Sequence, residues 1–116
     1  IRGAALATTR LFASTPAHLE IEIDVQVDAP RRCPGRSEFS CRVRLLGLEE
    51  KYPAIEGVTS LHAVSIAIRL VCLRLCNLHD SGYRFRLEKA DRPLTRFEIK
   101  RLFGNLDPPD SNKNAT

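Results

Sequence analysis

The sequence predicts an α+β fold: an antiparallel sheet of about four strands, one long apolar helix packed on one face, and a short C-terminal helix. The decisive observation is the segment Thr59–Leu78, which has no glycine or proline and is apolar at 13 of the 18 positions from 61 to 78. Three strand-like segments precede it, and one strand-like and one helical segment follow. The order β-β-β-α-β-α is typical of helices segregated to one face of an antiparallel sheet.

Length and composition are those of one globular domain. The chain has 116 residues, of which 43% are hydrophobic and 28% charged. We therefore predict a single α+β domain over residues 1–106. Residues 107–116, rich in proline and small polar residues, are expected to form a flexible tail.

The first 18 residues have two interpretations. They carry Arg2 and Arg10 but no acid, a composition that fits an organellar presequence. We favour a first strand from Leu6 to Ala13. The next segment, Leu19–Val27, alternates strictly between apolar and polar residues, which predicts a strand with one wet face, joined to the first as a hairpin.

The region before the long helix reads as loop, strand and connection. Residues 28–37 contain two prolines, a glycine and three arginines, which indicates a loop. Phe39, Cys41, Val43 and Leu45 then alternate with polar residues and predict a third strand. Residues 47–57 form a connection with room for a short edge strand, and the carboxylates of Glu49 and Glu50 are expected to be solvated there.

The long helix should begin at Thr59 or Ser60, whose hydroxyls are good N-caps. Its polar positions His62, Ser65 and Arg69 make one narrow stripe, so the rest needs cover from the sheet and from a second helix or another chain. We predict no membrane span, because His62, Arg69 and Arg74 are costly in lipid.

Two elements follow the long helix. The alternation from Tyr83 to Leu87 predicts a fourth strand. A second helix is predicted from Leu94 to Phe103, with Pro93 in its first turn and Gly104 as its stop. Its expected apolar face consists of Leu94, Phe97, Leu102 and Phe103.

Alternation also predicts a charged sheet face. Glu20, Glu22 and Asp24 should lie there beside arginines of neighbouring strands, either paired among themselves or docked on another macromolecule. The candidate partner-binding residues are Arg31, Arg32, Arg36, Arg42, Arg44, Arg84 and Arg86.

No catalytic, metal or cofactor site is predicted. His62 could serve as a base near Ser65 and Cys41, but spacing alone assembles no nucleophile–base pair. The four cysteines, Cys33, Cys41, Cys72 and Cys76, are interpreted as free thiols, with a disulfide or metal half-site as alternatives. Free thiols favour a reducing cytoplasm.

The helix start carries a family resemblance. Gly57-Val58-Thr59-Ser60-Leu61-His62-Ala63 resembles the Gly-Val-Asp-Ser-x-Gln-Ala motif of small bacterial domains of unknown function, with Thr59 and His62 in place of Asp and Gln. Ser40-Cys41-Arg42-Val43 resembles their Cys-bearing strand. The resemblance implies a compact α+β domain and, by analogy of fold and size, an immunity-type protein.

These observations favour a non-enzymatic protein-binding module, most concretely one that neutralises a bacterial toxin domain. The net charge of +4 suits a partner with an acidic surface. One alternative is a homodimeric structural or regulatory module that covers its long helix with a second copy. The other is a nucleic-acid-binding domain that uses the arginine-rich sheet face, although the acidic strand would repel phosphate.

Overall fold

The structure is a computed structural model and describes residues 5–48, 50 and 52–104. The strands are β1 (Ala5–Ser14), β2 (Glu20–Asp28), β3 (Arg31–Arg32), β4 (Phe39–Cys41), β5 (Val43–Leu46), β6 (Ile55–Gly57) and β7 (Arg84–Arg86). The helices are α1 (Ser60–Asp80) and α2 (Arg96–Leu102). The predicted fold class is confirmed. The predicted tail, 107–116, and residues 1–4 lie outside the described residues.

The strands form two antiparallel sheets that meet in the hairpin running from β2 to β5. The four-stranded sheet has the order β5-β2-β1-β7, and the three-stranded sheet has the order β3-β4-β6. The Asp28 amide donates to the Arg42 carbonyl at 2.9 Å, and the next pair is Arg31 with Ser40. Two residues, 29 and 30, therefore lie opposite Cys41, which is a β-bulge.

This bulge explains why the predicted third strand is interrupted. Pro30 has no N–H to continue the ladder, so the strand is divided into β4 and β5 on either side of Arg42. The extra residue also shifts the register by one. As a result Arg31 lies on the same side of the sheet as Ser40 and Arg42.

The alternation of the second predicted strand is confirmed over most of its length. Ile23, Val25 and Val27 of β2 are buried on the inner face, the side of the sheet toward α1. Leu19 was expected with them but is 64% exposed. It belongs to the turn between β1 and β2, where His18 has a left-handed φ of 65°.

Helix α1 is the core element that the sequence predicts. The Thr59 hydroxyl caps it by accepting the His62 amide at 3.0 Å. It lies across β2, β4 and β6, and its buried side chains are Ala63, Ala67, Val71, Cys72, Leu75, Cys76 and Leu78. The predicted stripe of His62, Ser65 and Arg69 is exposed.

Helix α2 begins later than predicted, and its predicted apolar face is only partly turned inward. Thr95 is its N-cap, so Pro93 precedes the helix rather than lying in its first turn. Leu94 and Phe103 of the predicted face pack against the core. Ile99, which the predicted face omitted, is buried, whereas Phe97 and Leu102 are 38% and 42% exposed. α2 packs against α1, so part of the cover that α1 needs comes from its own chain.

By length and composition alone, α1 could cross a membrane. The charged residues within it are therefore not a sufficient reason to exclude a membrane span. In the structure one side of α1 is buried against the sheet and α2. A core helix of a globular domain has the same length and composition.

The cap of α2 makes its stability depend on pH. Glu98 accepts from Arg92 at 2.8 Å and 2.6 Å and from the Thr95 amide at 2.8 Å. Arg92 and then the Thr95 amide lower the pKa of Glu98 from 4.5 to about 2. A depressed carboxyl pKa stabilises the fold above the ordinary pKa, and this contribution is lost as pH falls through 4.5 toward 2.

We therefore expect the melting temperature of the native protein to fall more steeply over that range than that of Glu98→Gln. Glutamine keeps the capping box but does not titrate. Melting curves by circular dichroism from pH 2 to 7 measure the difference. Parallel pH profiles for the two proteins would contradict the assignment.

Candidate functional site: the charged outer face

The outer face of the sheet, the side away from α1, carries the predicted charges. The strand registers place on it Arg84 and Arg86 of β7, Arg10 and Phe12 of β1, Glu20, Glu22 and Asp24 of β2, and Arg44 of β5. Arg42 and Arg31 continue this face across the bulge.

The structure does not bring the predicted arginines into one patch. Arg84 and Arg86 lie on β7 at one end of the order β5-β2-β1-β7, and Arg44 lies on β5 at the other end. Three strand spacings separate them, which is roughly 14 Å at about 4.8 Å each. The acidic strand β2 lies between the two groups.

Several of these charges pair with each other. Arg10 contacts Asp24 at 3.3 Å, Arg44 contacts Asp28 at 2.9 Å, and Arg86 binds Glu20 across β1. The Ser14 hydroxyl and then Arg86 lower the pKa of Glu20. This part of the outer face is self-paired, as one of the two sequence interpretations expected.

Two further candidate arginines have structural partners. Arg84 donates to the backbone carbonyls of His79 at 3.1 Å and Tyr83 at 2.7 Å, which closes the turn between α1 and β7. Arg36 contacts both Glu38 and Glu56 at 3.0 Å, which ties the tip of the β3–β4 hairpin to β6.

Arg31, Arg32 and Arg42 remain, and we call them the open arginines. All three are exposed, and none forms a salt bridge within the described part of the chain. The Arg32 guanidinium lies 5.6 Å from the centre of the Phe39 ring. Arg31 of β3 and Arg42, which lies between β4 and β5, face outward beside the bulge, so together they form a small cationic corner of the sheet.

The side chains considered for catalysis have separate partners. The His62 Nδ1 atom accepts the Val58 amide at 3.0 Å, so the ring belongs to the cap of α1. The Cys41 thiol donates to the Asp28 carbonyl at 3.2 Å, and burial raises the pKa of Cys41. They therefore do not form a nucleophile–base contact with each other.

The expectation that Glu50 is solvated is wrong, and Glu49 lies outside the described residues. Glu50 accepts from the Arg74 guanidinium, with Nε at 3.0 Å, and from the Tyr52 hydroxyl. Arg74 lowers the pKa of Glu50, while burial and then the bond to Glu50 raise the pKa of Tyr52 to about 12. This cluster holds the connection before β6 against α1.

All four cysteines are free. Cys41, Cys72 and Cys76 are buried, and Cys33 is half-buried in the hairpin tip. Burial, followed by the neighbouring Cys76, raises the pKa of Cys72 to about 11. The buried thiols are therefore core residues rather than reactive groups.

Comparison with known proteins adds no relative. No family model, no curated protein and no solved structure matches this chain. The resemblance of the α1 start to small bacterial domains therefore stays an expectation, and the function has to be argued from the outer face itself.

Proposed function

We propose that this protein is a non-enzymatic binding module in which Arg31 and Arg42, the two open arginines on the outer face, contact an acidic surface of a partner protein. The observation that supports the proposal is the division among the predicted arginines. Arg44 and Arg86 are neutralised within the fold, whereas Arg31, Arg32 and Arg42 are exposed without an ion-pair partner among the described residues. Exposed guanidinium groups bind carboxylates with two parallel hydrogen bonds.

The layout of charge favours a protein over a nucleic acid. Nucleic-acid surfaces usually present a continuous basic stripe, often with aromatic side chains for stacking. Here the acids of β2 divide the arginines, and Phe85 is fully buried on the inner face. A small cationic corner fits a few carboxylates better than a phosphate backbone.

More specifically, we propose that this chain is an immunity-type protein that neutralises a toxin domain in a bacterial cytoplasm. The small α+β domain and the free thiols support this assignment, because thiols persist in reducing compartments. An acidic toxin surface would complement the net charge of +4.

The test reverses the charge of Arg31 and Arg42 together. Arg44 is left intact because Arg44→Glu would set a second carboxylate beside Asp28. The matched control is Arg69→Glu, since Arg69 is also exposed but lies on α1 on the other side of the molecule. Tagged native protein and both variants are used to capture partners from source cells, followed by mass spectrometry.

We expect one protein to be retained by the native chain and by Arg69→Glu, and to be lost with Arg31→Glu/Arg42→Glu. A captured toxin should arrest growth when expressed alone and not when expressed with the native chain. Equal retention by all three proteins would overturn the site. Preferential binding of a labelled duplex RNA or DNA, lost in the double variant, would support the nucleic-acid alternative instead.

A further inference from the structure

Strand β1 has a long edge that no other described strand covers. It is paired with β2 from Ala5 to Ser14, with a β-bulge between Ala5 and Ala7, but on its other side β7 covers only Phe12, Ala13 and Ser14. From Ala5 to Leu11 no backbone hydrogen bond reaches that side from the described residues. These seven residues span about 24 Å at 3.4 Å each.

The edge is open because β7 leaves the ladder early. Continuing the antiparallel register beyond the pair of Phe12 with Arg86 would set Leu87 and Glu88 beside Leu11 and Arg10. Instead the chain turns onto the outer face, where the Lys89 ammonium lies 5.6 Å from the centre of the Phe12 ring.

Apart from the bulge between Ala5 and Ala7, the open edge has little of the usual protection against pairing. Alternate residues of an edge strand present an unpaired N–H and C=O, which natural proteins shield with proline, charge, a bulge or a covering segment. The segment 5–11 has no proline, and its single charge is Arg10. Leu6 is 56% exposed, and Ala7 and Thr8 are exposed as well.

We propose that this edge pairs antiparallel with the same edge of a second copy of the chain. Two identical edges related by a two-fold axis are complementary in their hydrogen-bonding groups. An axis at Thr8 or Thr9 sets Arg10 opposite Leu6 or Thr8 of the second copy, so no like charges meet. Arg10 is also already paired with Asp24 at 3.3 Å.

Charge argues against self-association through the exposed side of α1. Leu61 and Leu73 on the exposed side of α1 are 78% and 58% exposed, and Arg69 lies between them. An antiparallel contact between two copies of α1 centred there would bring the two Arg69 side chains together. Self-pairing through β1 has no such repulsion.

The proposed contact is small. A seven-residue strand edge buries less area than the 1,000 Å² or so that stable interfaces exceed. We therefore expect a weak dimer whose fraction rises with protein concentration.

The test is sedimentation velocity of the full chain over a hundredfold range of concentration. Leu6→Lys/Thr8→Lys adds like charges across the axis in either register, and Leu6→Val/Thr8→Val is the neutral control. We expect the lysine variant to dimerise at least about tenfold more weakly than the native chain, and the valine variant to dimerise like it. Urea unfolding confirms that both variants fold.

Hydrogen exchange supplies a second readout. Amides between Ala5 and Leu11 should become more protected as the native protein is concentrated. A native chain that is monomeric throughout would overturn the proposal. So would a dimer that survives the lysine changes but is lost in Leu73→Glu, because such a dimer would use α1.

Discussion

Replacing Phe85 with alanine should lower the free energy of unfolding by about 4 kcal/mol, the range found when a buried phenylalanine is truncated. Phe85 is 0% exposed, lies opposite Ala13 in the β1–β7 pair, and stacks on Tyr83 with ring centroids 6.2 Å apart. Its carbonyl accepts the Leu94 amide at 2.7 Å. The cavity would therefore open on the inner face of the sheet, beside the segment leading to α2.

Phe97→Ala is the matched control, because Phe97 is 38% exposed and lies on the outer side of α2. We expect a loss of about 1 kcal/mol or less there. Urea unfolding followed by circular dichroism measures both. If Phe85→Ala does not fold, Phe85→Leu keeps most of the volume and should cost about 1–2 kcal/mol. Equal losses for Phe85→Ala and Phe97→Ala would contradict the assigned core.

Replacing Gly57 with alanine should lower the free energy of unfolding by about 3 kcal/mol. A Cβ atom at Gly57 would lie 2.5 Å from the Ala63 nitrogen and 2.7 Å from its Cα. Both are backbone atoms of the first turns of α1, so the helix would have to move away from β6. Gly57 thus permits the close approach between helix and sheet.

Gly35→Ala separates this clash from backbone strain. Gly35 has a φ of +71° but no atom within 4 Å of a built Cβ, so alanine there costs about 1 kcal/mol. We predict a larger loss at Gly57, even though Gly35 has the less favourable backbone for alanine. The reverse order in urea unfolding would show that α1 does not pack closely on β6.

The main elements were predictable because their patterns are local. Ile21, Ile23 and Val25 alternate with acids, so a strand here can turn its apolar side chains inward in only one orientation. The inner face of β2 confirms this prediction. The composition of α1 likewise requires burial, and its cap at Thr59 follows from side-chain chemistry.

The errors arose where tertiary contacts override local pattern. Pro30 marks a break in the hairpin, but its effect on the opposite strand at Arg42 depends on register. In α2 the sequence offers Phe97 and Leu102 as well as Ile99, and only the position of α1 decides that Ile99 is buried. Intrinsic helix propensity does not determine which of these side chains is buried.

The candidate site was predictable as a face but not as a set of contacts. Alternation correctly places Arg44 and Arg86 on one side with the acids. The pairing of Arg44 with Asp28 had a signal, because Asp28 continues the alternation of β2. No local signal predicted that Arg86 would reach across β1 to Glu20, because the order of strands in a sheet cannot be derived from short sequence patterns.

The open arginines are tested most directly by calorimetric titration of the captured partner into the native chain, Arg31→Glu/Arg42→Glu and Arg69→Glu. We predict that the double reversal weakens binding at least about tenfold, or about 1.4 kcal/mol, while Arg69→Glu binds like the native chain. The double variant should unfold at the same urea concentration as the native chain, because neither side chain has an ion-pair partner among the described residues. Equal dissociation constants for the double variant and the native chain would contradict the proposal.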